Sequence, residues 1–202
     1  MLNTVVFDLG GVLIDWNPRH LFRQLISEEE SMEYFLQEIA TSDWNGQQDA
    51  GRPLEEATEW LVERHPEWEE LIRAYYGRWP EMISGPIDGT LAILKKIYER
   101  KSHRLLALTN WSHETFPVAQ EKFPWLNTHF EGILVSGEEK LIKPDPRIYE
   151  LLIERYSVDP QKAVFIDDNE PNVTGAREVG LHAIHFRSPE LLEVELQKLS
   201  VL

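Results

Sequence analysis

Asp8 ends a short apolar run, Thr4 to Phe7, and is followed by Leu9, Gly10 and Gly11. Much later in the chain Thr109 and Asn110 end the run from Arg104 to Leu108, and Asp167 with Asp168 ends the run from Ala163 to Ile166. Lys143 stands between the last two, in Leu-Ile-Lys-Pro-Asp-Pro. Brought to one place, a carboxylate, a hydroxyl with an amide, a lysine and an acidic pair suit phosphoryl transfer. One carboxylate attacks, the hydroxyl and lysine hold the transferring oxygens, and the acidic pair holds a hard divalent cation. Each group also has a structural use on its own: Asp8 as a strand-to-turn junction, Thr109-Asn110 or Asp167-Asp168-Asn169 as helix caps, Lys143-Pro144 as surface. Their joint placement at the ends of apolar runs is what points to chemistry.

Those runs read as buried parallel strands, being continuous, β-prone and closed by polar or glycine turns. Gly132 to Val135 and His182 to Phe186 read the same way. Helical segments lie between them: around Leu91 to Tyr98, through Phe116 and Phe123, over Pro146 to Tyr156, over Pro171 to Val179 closed by Gly180, and onward from Pro189. Strands alternating with helices predict an α/β fold whose parallel sheet is covered on both faces, with ligands bound outside the carboxyl ends of the strands. From Trp16 to about Trp79 the pattern is helical instead. Ser27 with Glu30 reads as a capping box ahead of Met32, Phe35, Leu36 and Ile39. Pro53 opens a helix with Leu54, Ala57, Trp60 and Leu61 on one face, and Trp68, Leu71, Ile72, Tyr75, Tyr76 and Trp79 form a second apolar stripe. The expected organisation is a core of residues 1–15 and 85–202 carrying a helical cap of residues 16–84.

The 202 residues include no cysteine, which excludes a disulfide framework, a thiolate metal site and a cysteine nucleophile. A net charge of −15 gives no electrostatic support to nucleic-acid or anionic-membrane binding. No apolar stretch approaches the ~20 residues of a membrane-crossing helix, and Met-Leu-Asn-Thr lacks the basic start of a signal peptide, so a cytoplasmic location is expected. The charge is uneven. Residues 27–70 hold 14 acids against Arg52 and Arg64, a balance of −12, and the other 158 residues carry only −3. Acids so concentrated in the cap should lie on its outer face, since acids lining a cleft would repel an anionic substrate.

Four stretches, Phe-Asp8-Leu-Gly-Gly-Val-Leu-Ile-Asp15, Leu108-Thr109-Asn110, Lys143-Pro144 and Phe165-Ile-Asp167-Asp168-Asn169, together resemble the motifs of the haloacid dehalogenase-like hydrolases, in the family's order. The branch most resembled holds bacterial sugar-phosphate phosphatases of the glucose-1-phosphatase kind. The resemblance implies a three-layer Rossmann-like parallel sheet core with an inserted helical-bundle cap. It further implies Asp8 as the nucleophile that forms an aspartyl-phosphate, and Mg2+ held by Asp8, the Gly10 carbonyl, Asp167 and Asp168. Thr109 and Asn110 would bind the phosphoryl group, and Lys143 would screen it from Asp8. The expected partner is a small phosphorylated metabolite.

One position departs from the resemblance. Phosphatases of this superfamily usually carry a second aspartate, a proton donor, two positions after the nucleophile, and Gly10 stands there. Asp15, His20 and His113 are the substitutes to consider. A halide leaves without a proton, so the same gap admits a 2-haloacid dehalogenase, although the Asp167-Asp168 pair argues against that metal-independent reaction. A weakly active ligand-binding member is the remaining alternative. For substrate contacts, Trp44, Asn45 and Arg52 stand in what reads as a polar loop of the cap, and Trp111 directly follows Asn110.

Overall fold

The computed structural model describes all 202 residues. Its strands are β1 (Thr4–Phe7), β2 (Ile14–Trp16), β3 (Ile83–Pro86), β4 (Arg104–Thr109), β5 (Gly132–Val135), β6 (Ala163–Asp167) and β7 (His182–His185). Five of them form one parallel sheet in the order β5-β4-β1-β6-β7. Alternate side chains of these strands enter different cores, as the two-residue period of a strand requires. Val5, Phe7, Leu105, Ala107, Val164 and Ile166 join one apolar cluster, and Val6, Leu106, Leu108, Ala163 and Phe165 join the other.

The chain-order helices are α1 (Arg19–Leu25), α2 (Glu29–Tyr34), α3 (Ser42–Asp49), α4 (Leu54–Arg64), α5 (Glu69–Gly77), α6 (Asp88–Arg100), α7 (Phe116–Lys122), the single turn α8 (Ser136–Glu139), α9 (Pro146–Arg155), α10 (Glu170–Glu178) and α11 (Pro189–Lys198). Residues of α6, α7 and α11 cover one face of the sheet, and residues of α9 and α10 cover the other. This is the α/β fold with a helical insert that the alternation predicts. The insert, α1 to α5, is joined to the sheet by β2 and β3, which pair antiparallel with Asp15 opposite Gly85. Sequence pattern misses this ribbon because both strands are too short to show a period.

Several local expectations need correction. Ser27 does not cap α2; Glu28 precedes it in extended conformation, with no side-chain cap. Phe35–Ile39 continues the helix as a π-helical turn, with Phe35, Leu36 and Ile39 still buried. Residues 42–49, read as a polar loop, are the helix α3, whose Thr41 hydroxyl accepts from the Trp44 N–H at 3.1 Å. Trp60 is 37% exposed and lies under the guanidinium of Arg64 at 3.7 Å, so charge covers it rather than the bundle core.

Candidate active site

β1 is flanked by β4 and β6, so the chain runs off in opposite directions on its two sides and leaves a crevice at its carboxyl end. Phe7 stands level with Ala107 and Ile166, which brings Asp8, Thr109 and Asp167 to the same edge. Gly11, at φ +74°, turns the chain directly after it; a Cβ there would collide with the Asp168 carboxylate. Carboxylate oxygens of Asp8, Asp167 and Asp168 lie within 4.8 Å of one another.

Lys143 is buried in their midst. Its Nζ lies 3.0 Å from Asp8 Oδ1 and 2.6 Å from Asp167 Oδ2, and it donates to the Leu108 carbonyl at 3.1 Å. The loop is clamped by Asn110, whose amide donates to the Lys143 carbonyl at 3.0 Å while its Oδ1 accepts the Lys143 N–H at 2.8 Å. Asp8 Oδ1 also accepts from the Leu9 N–H at 2.7 Å. Asp167 accepts from the Asn169 N–H at 2.8 Å, and its two carboxylate oxygens accept from Asn172 Nδ2 at 3.1 and 3.2 Å. The Thr109 hydroxyl, also buried, has no partner.

The electrostatics follow from this crowding. Burial, against the opposing pull of Lys143, raises Asp8 to about 8, and Asp167 and Asp168 add to the rise. Asp168 is raised too, first by burial and then by Asp167. Burial alone would lower Lys143, but Asp8 and Asp167 outweigh it and hold the ammonium above its ordinary value. Three carboxylates around one ammonium leave surplus negative charge, and a hard divalent cation with oxygen ligands fits that donor set. The unpartnered Thr109 hydroxyl fits an oxygen of a bound oxyanion.

Above this edge a cavity of about 50 Å³ lies between insert and sheet, lined by Gly10, Trp16, Asn45, Asp49, Tyr76, Trp79, Asn110, Trp111, Ser112 and Thr115. Of the expected substrate contacts, Asn45 and Trp111 line it; Trp44 and Arg52 do not. Trp44 is buried, packs edge-on against Tyr75 at 5.1 Å and donates to the Ala57 carbonyl at 3.3 Å, so it is a core residue of the bundle. Arg52 is occupied with Glu56 at 3.2 Å and Gln47 at 3.0 Å. Asp15, His20 and His113 lie outside the lining as well: Asp15 pairs with Ser84 and, at 3.2 Å, with His20, and His113 is exposed. Of the 14 acids between residues 27 and 70, all but Glu33 and Asp49 are exposed, and Asp49 alone lines the cavity.

Three residues of the site escape the sequence reading. Asn172 stands one turn into α10 and points back at Asp167, a placement that a buried amide after the Asp-Asp pair could have signalled. Ser136 Oγ accepts the Trp111 N–H at 2.9 Å and donates to the Asp49 carbonyl at 2.6 Å, joining sheet to insert. Asp49 is the third; it stands in the last turn of α3, a helix that the polar sequence of residues 42–49 conceals, so no sequence signal singles it out.

The family model for haloacid dehalogenase-like hydrolases matches residues 2–180. The chain belongs to this family. It is 24% identical over 186 residues to a phosphorylated carbohydrates phosphatase of Thermotoga maritima, covering 91% of this chain and 84% of that protein. It also matches parts of larger proteins, spanning 9% of acyl-CoA dehydrogenase family member 10 of Mus musculus and 36% of a drimenol cyclase of Aspergillus calidoustus. A haloacid dehalogenase family enzyme from Bacteroides thetaiotaomicron, solved with magnesium and inorganic phosphate, superposes with a TM-score of 0.68 at 22% identity, over 93% of this chain and 96% of that one. The L-2-haloacid dehalogenase of Xanthobacter autotrophicus does so with a TM-score of 0.63 at 19% identity, over 100% and 85%. At such identities the likeness is one of fold. No helix is long and apolar enough to cross a membrane.

Proposed function

We propose that this chain is a magnesium-dependent phosphatase of a small phosphorylated metabolite, a sugar phosphate being the class to test first. The observation that carries this reading is the cluster of Asp8, Asp167 and Asp168 within 4.8 Å, with Lys143 buried between two of them. A reaction on a neutral haloacid carbon has no use for two further carboxylates beside the nucleophile, whereas a phosphoryl group with its cation does. The Thermotoga phosphatase and the Bacteroides complex with magnesium and phosphate lend the same support.

In this reading Asp8 attacks phosphorus. Its Oδ1 is held by the Leu9 N–H and Lys143, which orients the carboxylate. The Thr109 hydroxyl receives a phosphoryl oxygen, the Asn110 side chain serves by clamping the Lys143 loop, and Lys143 screens the phosphoryl group from Asp8. Magnesium, held by Asp8, the Gly10 carbonyl, Asp167 and Asp168, would neutralise charge on the phosphoryl oxygens. Residues 16–84 serve as the cap that chooses the substrate, with Asn45 of the cap and Trp111 of the sheet edge lining the cavity, because the groups at the strand ends contact only the phosphoryl group.

The test is phosphate release from a panel of phosphorylated metabolites and from 4-nitrophenyl phosphate. Release is expected with magnesium and lost with a chelator or in Asp8→Asn. Activity that survives chelation would remove the metal. Halide release from a 2-haloacid, with no phosphate release from the panel, would replace the reading altogether.

A further inference from the structure

Breaking a P–O bond to a sugar or alkyl oxygen leaves an alkoxide unless a proton arrives as the bond breaks. None of the groups at the strand ends suits that task. Lys143 is committed to Asp8, Asp167 and the Leu108 carbonyl, and Asn110 is spent on clamping the Lys143 backbone. The donor has to come from the wall of the cavity. There Asp49 supplies the one carboxyl, reaching in from α3 on the insert, while Gly10 lines the wall beside the nucleophile.

Asp49 is held for a purpose that packing does not require. Gln48 donates to the Tyr76 hydroxyl at 3.0 Å, that hydroxyl donates to Asn45 Oδ1 at 3.0 Å, and Asn45 Nδ2 donates to Asp49 Oδ2 at 3.0 Å. The chain of donors ends on one oxygen of Asp49 and aims the carboxyl. Its backbone carbonyl is tied to the sheet by Ser136, which fixes the distance between insert and nucleophile. The titratable and charged groups that face it are Tyr75 and Tyr76 from α5 and Lys143 from the sheet edge, where the Ser112 N–H also donates to it. Burial raises Asp49 to about 7, against the Ser112 N–H and Lys143, which favour the anion.

We propose that Asp49, carried by the cap, protonates the leaving-group oxygen, a role resting on the phosphatase reading above. As Asp8 forms its bond to phosphorus, the bond from phosphorus to the substrate oxygen breaks, and its electron pair takes the proton of Asp49. The alcohol departs and Asp49 is left as carboxylate. Water then attacks the phosphorus of the aspartyl-phosphate, Asp49 takes a proton from that water, and the bond to Asp8 breaks. Phosphate leaves, and both carboxyl groups return to their starting states.

Leaving-group dependence tests this role. 4-Nitrophenolate leaves without help and phenolate does not, so Asp49→Asn is expected to lower the ratio of phenyl to 4-nitrophenyl phosphate turnover by ~10²-fold or more. In wild type the ratio of phenyl to 4-nitrophenyl phosphate turnover, in which the ionisation of Asp8 cancels, should fall as pH rises through about 7, and the variant should lose that fall. A Cβ on Gly10 would meet nothing within 4 Å, so Gly10→Asp in the Asp49→Asn background offers a carboxyl to the same cavity and should recover part of the ratio. An equal loss on both substrates, with no recovery by Gly10→Asp, would overturn the proposal and leave Asp49 a structural residue. A wild-type protein that hydrolyses neither ester would instead overturn the phosphatase reading.

Discussion

The Thr109 hydroxyl is buried at the end of β4 with no partner in the chain. An unsatisfied buried hydroxyl costs free energy, so replacing it by a methyl group of the same shape should not destabilise the fold. Thr109→Val is therefore expected to melt at the wild-type temperature or above it, while inhibition by inorganic phosphate weakens about 10-fold or more, as for a lost hydrogen bond to a charged group. A lower melting temperature with unchanged inhibition would make the hydroxyl structural. Lys143 makes the opposite case. Removing it leaves Asp8 and Asp167 facing each other without a counter-charge, a loss of about 3–5 kcal/mol for a broken buried pair. Lys143→Met should lose that stability together with hydrolysis, and magnesium should restore part of the stability, as denaturant titrations with and without the ion will measure. Destabilisation indifferent to magnesium would mean that the three carboxylates do not share a cation.

At the scale of elements, the strand ends were legible and the insert was only partly so. Asp8, Thr109, Asn110 and Asp167 could be placed because a continuous apolar run followed by a polar residue marks both the strand and its carboxyl edge. The α3 helix could not: Ser42–Asp49 has no apolar stripe, only Trp44 and Gln48 being buried, so its polar composition imitates a loop. With the helix hidden, Trp44 reads as a substrate contact in a polar loop, and Asp49 is one acid among fourteen. Helical structure makes the difference, because it turns Trp44 inward and sets Asn45 and Asp49, four residues apart, together on the cavity side. A stability experiment checks the environment of Asp49 without reference to catalysis. Its folded value of about 7 stands above the ordinary 3.8. Between these pH values the folded protein keeps a proton that the unfolded chain has released, so its stabilising effect is complete below pH 3.8 and disappears as pH rises to about 7. The unfolding free energy of Asp49→Asn relative to wild type should accordingly climb from pH 4 to 7 and level off above. A difference that does not change with pH would place Asp49 in an ordinary solvated setting.

For the whole molecule, the insert and the sheet are two architectural units with one interior. A single cluster of 39 buried apolar residues runs from Val5 and Phe7 in the sheet through Leu13 and Ile14 to Met32, Phe35 and Tyr75 in the insert. Trp79 of the insert meets Trp111 of the sheet edge with ring centroids 5.5 Å apart, and the Leu54 N–H donates to Glu114 across the same boundary at 2.8 Å. The cavity there, about 50 Å³, opens partly to solvent between the two units. Separating the insert from the sheet would expose part of this shared core. The same sharing forbids the cap from melting alone. Heat or denaturant should give one transition, with far-UV circular dichroism and tryptophan fluorescence coincident, the tryptophans being spread over both units. Trp79→Ala, which opens a hole where the units meet, should lower that transition by about 3–5 kcal/mol for both probes together. If an early transition in Trp79→Ala removed only the helical signal of the insert and left the sheet folded, the two units would be independent.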